Sequence, residues 1–264
     1  MTEAAPPATL EDLLRLGVDD NCLAELDGGL RIYEARGTRW LSSGPSAVQS
    51  ALRLARPDSP LLPNHLAMAL ASALVRRPRR VLDLGTGCGV MLRFAASLME
   101  AEEVVGVEAV PAMLAIARDY FSLPVQLRVV VADALEFLRA CDAQDLVFCD
   151  VFDGSDEPHW LLGRDFCSAL AAALAPGGAA AINLLPRSQR QLHDQLREVL
   201  DHFRGVGLLK PPGQDNVVLL LSQDQLPDAV RWRDLLEHRL RSPSACAMLL
   251  EHLRVIPSPD LRSA

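Results

Sequence analysis

Val81-Leu82-Asp83-Leu84-Gly85-Thr86-Gly87-Cys88-Gly89 is the stretch on which the reading of this chain turns. A short apolar run carrying one acid leads directly into glycines at every second position, and a helical pattern opens at Val90. Such a run suits a strand buried on both faces. Glycine lets the backbone turn sharply and approach a ligand closely. The spacing is G-x-G-x-G, not the G-x-G-x-x-G of the dinucleotide fingerprint. The stretch predicts strand, turn and helix in immediate succession, with the turn as either a ligand loop or a simple tight connection.

Downstream, the alternation continues. Val104–Glu108 is a second run, followed by a helix from Pro111 to Asp119; proline suits the first helical turn. Residues 126–131, 146–150 and 179–185 are further strands, with helices over 134–140, about 160–174 and 188–203 between and after them. Strands over 205–209 and 216–222 are joined by a short Pro-Gly segment that suits a hairpin, so the last strand is expected to be antiparallel. Apolar strands alternating with amphipathic helices predict a mostly parallel, doubly wound α/β sheet covered on both faces. Upstream, Leu10–Leu16 is amphipathic. The runs at 30–35, 38–41 and 48–52, punctuated by Gly37 and Gly44-Pro45, predict a small antiparallel sheet. A helical pattern then runs from Asn64 to Val75. The expected organisation is an N-terminal segment over 1–63, a Rossmann-like domain over 64–223 and a helical extension over 224–264.

The chain has 264 residues, 50% hydrophobic and 23% charged, which is ample for a buried core and too apolar for a disordered chain. A net charge of -8 argues against binding nucleic acid through phosphate neutralisation. No uninterrupted apolar stretch reaches the length of a membrane span. The first ten residues lack the pattern of a signal peptide. Cys22, Cys88, Cys141, Cys149, Cys167 and Cys246 are scattered, without metal-ligand spacing. They read as reduced core residues of a cytoplasmic protein, with no metal site expected.

In open α/β sheets, ligands bind beyond the carboxyl ends of the strands, where the strand order reverses. Those ends carry Asp83 with Gly85 and Gly87, then Glu108, Asp133, Asp150 with Asp153, and Asn183. Glu108 lies 19 residues past Gly89, where an acid can accept both hydroxyls of a ribose. Asp133 could accept an adenine amino proton, or cap the helix that starts at Ala134; the two roles are compatible.

This constellation resembles the class I S-adenosylmethionine-dependent transferases over roughly residues 79–222, and within them the spermidine synthase-like branch. The likeness is carried by Val48-Gln49-Ser50-Ala51, Asp133-Ala-Leu-Glu-Phe-Leu138, Asp150-Val-Phe-Asp153-Gly154 and Leu174-Ala-Pro-Gly-Gly178. It implies a Rossmann-like sheet of seven strands with a β-rich N-terminal attachment, and a homodimer. It also implies an S-adenosylmethionine-type cofactor, carboxylated or decarboxylated, held by Gly85, Gly87, Glu108, Asp133 and Ala134 with Gln49 near its tail. Substrate would lie at Asp150 and Asp153.

The chemistry of that pair can be argued separately. An amine nucleophile, with a pKa near ~10, arrives protonated and needs a base. A carboxylate at the fourth strand end can take that proton, and a second one three residues on can hold a distal ammonium; a solvated acidic loop is the other reading. Two departures bear on the reaction. The Tyr-His-Glu run of the aminopropyltransferases is replaced by Leu61-Leu-Pro-Asn-His65-Leu-Ala-Met68. Asp83 also stands where that branch lacks an acid, as in ordinary methyltransferases, where it can bind the methionine-end amine. Both favour methyl transfer to an amine or other small nucleophile. Aminopropyl transfer and a non-catalytic nucleoside-binding protein are the alternatives. His159 and His193 read as solvated, His65 sits at the domain junction, and Trp160 is placed to wall the substrate pocket.

Overall fold

The computed structural model describes residues 9–44, 47–98, 101–153, 156–237 and 249–257. Pro45, Gly154, Cys246 and part of the 224–264 extension lie outside the described residues. Thr9 opens α1 (Leu10–Leu16) with a reciprocal cap: its hydroxyl accepts from the Asp12 N–H while Asp12 accepts from the Thr9 N–H. Four antiparallel strands follow in sequential order: β1 (Cys22–Glu25), β2 (Arg31–Ala35), β3 (Thr38–Gly44) and β4 (Ala47–Arg53). The β2–β3 turn, Arg36-Gly37, has positive φ at both residues (51° and 69°), the twist a two-residue hairpin needs. β1, a short strand, was not expected from the sequence.

Both faces of this sheet are covered, as alternation requires. Tyr33 stacks on Trp40 at 5.4 Å on the side packed by Leu13 and Leu62. Ile32, Leu41 and Leu52 face the other way, onto Cys88, Ile116 and Phe121 of the larger unit. Arg39 fastens the junction, pairing with Glu34 and donating to the Tyr120 carbonyl.

Next comes α2 (Pro63–Ala69), with proline in its first turn, tightening into a 3-10 turn over Leu70–Ala73 where one continuous helix to Val75 was expected. The alternating unit then runs β5 (Arg80–Leu84), α3 (Val90–Leu98), β6 (Glu103–Glu108), α4 (Pro111–Asp119), β7 (Arg128–Val131), α5 (Ala134–Ala140), β8 (Gln144–Cys149), α6 (Arg164–Ala173) and β9 (Leu174–Leu184). It closes with α7 (Gln189–His202), β10 (Gly205–Leu209), β11 (Val217–Ser222), α8 (Ala229–Glu237) and β12 (Leu253–Ile256).

The sheet order is β12-β10-β11-β9-β8-β5-β6-β7. β7, β6, β5, β8 and β9 are parallel, and β11, β10 and β12 are antiparallel to their neighbours. The sheet therefore has eight strands, not the expected seven. The eighth is Leu253-Arg-Val-Ile256 in the extension read as helical. Four residues with an arginine among them give a weak strand signal, and what makes them a strand is the open edge of β10.

Residues alternate strictly between two cores. Leu82, Leu84, Val147, Cys149, Ala180 and Ile182 pack with α5, α6 and α7. Val81, Leu146, Phe148, Ala179, Ala181 and Val218 pack with α2, α3 and α8. Trp232 of α8, fully buried, donates its indole N–H to the Leu70 carbonyl at 3.3 Å. The chain runs from β5 outward through β6 and β7, then returns to the other side of β5 with β8. The order reverses between β5 and β8, and in open sheets of this kind the ligand crevice lies beyond the carboxyl ends at that point.

Candidate functional site

The parity of the strands assembles the site. Asp83 shares the sheet face of Val81, Asp150 that of Phe148, Asn183 that of Ala181, and Asn216 that of Val218. That is the face covered by α2 and α3. All four polar residues sit where the strands run out into the crevice.

Asp150 follows β8, and its N–H donates to the Leu84 carbonyl at 2.8 Å, so it lies directly against the glycine turn. The contact is tight: a Cβ on Gly85, which holds φ +78°, would lie 2.2 Å from the Asp150 carbonyl oxygen. The Asp150 carboxylate is gripped on both oxygens. Asn183 Nδ2 donates to Oδ1 at 2.7 Å, and His65 Nε2 lies 3.1 Å from Oδ2. An ionised carboxylate only accepts, so the imidazole proton sits on Nε2 in this pair. His65 Nδ1 is buried and has no partner.

Glu108 ends β6, 8% exposed, and accepts from the Gly87 N–H and the Val110 N–H, each at 2.9 Å. It thereby ties the glycine turn to the next strand. Asp83 is 1% exposed, and neither of its carboxylate oxygens has a hydrogen-bond partner. Burial, with the charges of Asp150 and Glu108 added, pushes its pKa up to about 8. The Thr86 hydroxyl and the Leu92 amide offset part of this without reaching bonding geometry. A buried acid with no protein partner is a candidate to hold a cationic group.

Of the residues singled out in the sequence, Asp83, Gly85, Gly87, Glu108 and Asp150 come together here. Asp133, two residues past β7, caps α5 by accepting the Glu136 N–H at 2.9 Å, with Ala134 buried behind it. Gln49 is exposed on β4, beside Ser50, which meets the Cys88 thiol of the glycine turn. Asp153 is exposed on the loop after β8, its N–H donating to the Asp156 carbonyl. Glu157 in that loop accepts from the Leu185 N–H, Gln191 and Gln195, anchoring the loop to α7. Trp160 does not stand free as a pocket wall: its ring leans on Phe166 at 5.6 Å and packs into the core. His159 and His193 are exposed.

Sequence reasoning missed Asn216, noted Asn183 only as a strand end, and had His65 only as one of three candidate bases, at the domain junction where it could face the cleft. Counting parity back from the core residues of each strand would have put Asn183 and Asn216 on the face of Asp150. His65 needed the docking of α2. The described cysteines are free. Burial pushes Cys88 and Cys167 up to about 12 and Cys149 higher still, so these thiols stay protonated and act as small apolar side chains. Among the described residues, no group of three or more His, Cys, Asp or Glu side chains could hold a metal ion, and no helix is long and apolar enough to cross a membrane.

Carboxylates at the switch point of a mostly parallel sheet, grouped around a glycine turn, stand where open α/β proteins hold their ligands. The profile described as "Methyltransferase domain" matches residues 81–178. The chain is 26% identical over 210 residues to a polyamine aminopropyltransferase of Chromobacterium violaceum, covering 78% of this chain and 80% of that one. It is 25% identical over 191 residues to an eEF1A lysine and N-terminal methyltransferase homolog of Drosophila melanogaster, covering 64% of this chain and 28% of that longer one. A probable spermidine synthase from Corynebacterium glutamicum superposes with a TM-score of 0.67 at 18% identity, over 87% of both chains, a likeness of fold. The chain is similar to the class I S-adenosylmethionine-dependent methyltransferases over residues 81–178, and along most of its length to a polyamine aminopropyltransferase. Its relatives divide between methyl and aminopropyl transfer, and what they share is S-adenosylmethionine-dependent group transfer.

Proposed function

We propose that the protein transfers a methyl group from S-adenosylmethionine to an amine or a similar small nucleophile bound against Asp150. The observation that carries this is the Asp150 carboxylate, held by Asn183 and His65 beside the glycine turn and above the unpaired Asp83. The cofactor, when bound, supplies an alkyl sulfonium that is already activated. The protein's task is therefore alignment and proton removal.

In this reading Asp83 takes the ammonium of the methionine end, Glu108 the ribose hydroxyls, and Asp133 with Ala134 the adenine edge. Gln49 lies toward the tail. Asp150 keeps lone pairs beyond those engaged by Asn183 and His65, and with them it accepts the proton of an incoming ammonium, freeing the nitrogen lone pair. Asp153 steers a distal cation on the solvent side. The acid within the first strand and the methyltransferase profile over 81–178 favour methyl transfer.

One observation favours aminopropyl transfer instead. Asp83, Glu108 and Asp150 crowd one crevice, and the nearest buried cation on α3, Arg93, is turned away to the Phe121 carbonyl at 2.5 Å. A donor without a carboxylate would suit so acidic a site.

Thermal shift with S-adenosylmethionine, its decarboxylated form and methylthioadenosine separates the two. A ligand at ~100 times its Kd adds about 2.7 kcal/mol. Preference for the carboxylated donor supports methyl transfer, and the reverse preference supports aminopropyl transfer. Asp150→Asn is expected to lose turnover, read by mass spectrometry over a panel of amines, while keeping donor affinity. Full activity in that variant removes Asp150 from the role of base. Donor binding with no product from any amine points to a regulatory protein.

A further inference from the structure

The hold on Asp150 does not end at Asn183. Asn183 is 1% exposed on β9, and its amide has one donating and one accepting end. The donating end reaches Asp150 Oδ1 at 2.7 Å; the accepting end, Oδ1, receives Asn216 Nδ2 at 3.0 Å. Asn216 stands one residue before β11, and β11 pairs with β9 so that Val218 lies opposite Asn183. Three polar side chains, one just past β8, one on β9 and one just before β11, thus form a single directed chain. In the opposite orientation, Asn183 would put a carbonyl oxygen against the Asp150 carboxylate and an amino group against that of Asn216, acceptor on acceptor and donor on donor.

We propose that Asn216 is a positioning residue. Its amide fixes the orientation of the Asn183 amide, and that orientation fixes the Asp150 carboxylate toward the crevice. This rests on Asp150 being the group that takes the acceptor's proton. Asn216 itself touches neither donor nor acceptor in this scheme.

The decisive variant is Asn216→Asp. A carboxylate at 216 cannot donate to the Asn183 carbonyl and competes for its amino group, drawing it away from Asp150. Asn216→Gln keeps an amide donor long enough to reach the Asn183 carbonyl from this half-exposed position. Asn216→Ala leaves the Asn183 carbonyl bare without adding charge, and covers the case in which Asn216→Asp folds poorly. Two readouts on the full chain are needed. In 15N NMR, the Asn183 side-chain amide signals, identified by their loss in Asn183→Leu, are expected to be exchange-protected in the wild type and in Asn216→Gln. They shift and lose protection in Asn216→Asp, and to a lesser degree in Asn216→Ala. In turnover, with the donor preferred in thermal shift and putrescine as the acceptor probe, Asn216→Asp is expected to lose about tenfold or more in kcat, the scale of one misplaced hydrogen bond to a charged group. Donor Kd stays within about twofold and Asn216→Gln within about threefold of wild type, both below the scale of one hydrogen bond. Adding Asn216→Asp to Asn183→Leu costs nothing further, because the link between them is already gone.

Asn183 amide signals indifferent to all three substitutions at 216 overturn the proposal. So does an unchanged kcat in Asn216→Asp where the wild type turns over. A wild type that leaves putrescine and other amines untouched, while its Asn183 signals respond to position 216, overturns the acceptor-side reading and leaves the positioning chain standing.

Discussion

Asp83→Asn, followed against pH, is the sharpest test of how the crevice is built. In the folded protein Asp83 is raised from an ordinary carboxylate value of 3.8 to about 8, with burial the largest cause and the charges of Asp150 and Glu108 adding to it. Between those values the native state holds a proton that the unfolded chain has released. Stability is therefore fully present below the unfolded value and is lost as pH rises toward the folded one. Each unit of pH in that window costs about 1.4 kcal/mol. From pH 5 to pH 8 the loss is roughly 4 kcal/mol, slightly less at the upper end where the group is half ionised. In a chain of this size that corresponds to about 8–16 °C in Tm. Asn does not titrate, so the variant lacks this slope. The difference between Asp83→Asn and wild type, measured by urea unfolding at pH 5, 6, 7 and 8 without ligand, is expected to grow steadily in the variant's favour. S-adenosylmethionine should shrink it at pH 8 by placing an ammonium against the acid. A difference that stays flat within about 0.5 kcal/mol, well under the ~1.4 kcal/mol expected per pH unit, would refute the picture of a buried, unpartnered carboxylate.

Other substitutions probe the neighbouring contacts. Gly85→Ala forces a Cβ onto the Asp150 carbonyl oxygen at 2.2 Å in a left-handed backbone conformation, and is expected to destabilise the protein by at least ~2 kcal/mol in urea unfolding; wild-type stability would mean that the turn and Asp150 are further apart. Glu108→Gln replaces one of two acceptors with a donor facing a backbone N–H, so donor affinity by calorimetry should fall about tenfold or more. An unchanged Kd would sever Glu108 from the cofactor. His65→Leu removes one of two grips on Asp150 and should lower kcat several-fold with donor Kd unchanged; a loss confined to donor affinity would place His65 on the other side of the crevice. Arg39→Ala loses the tie to the Tyr120 carbonyl and should cost about 1–2 kcal/mol of stability, with protease sensitivity rising first in the N-terminal sheet. Uniform sensitivity along the chain would contradict that.

Much of this arrangement could be read from residue order. Apolar runs such as Val81–Leu84 and Leu146–Cys149 have to be buried on both faces, which forces helices onto each side of the sheet. Glycines at 85, 87 and 89 leave the turn after β5 the freedom to bend under Asp150. Acids closing successive strands mark the ligand end, because only there can a carboxylate escape the core.

Pairings between distant segments were not legible in the same way. Leu253–Ile256 becomes a strand because β10 offers an open edge, which is a property of the assembled sheet. Asp133 signalled a cap as well as an adenine contact, and the cap forms because the Glu136 N–H is within its local reach. His65 was legible only as a histidine at the domain junction that could face the cleft: it meets Asp150, 85 positions away, because α2 lies across the face on which β5, β8 and β9 present their polar ends. Local physics sets which face of a strand a residue points to. Tertiary packing sets which helix covers that face, and through it which histidine meets the acid.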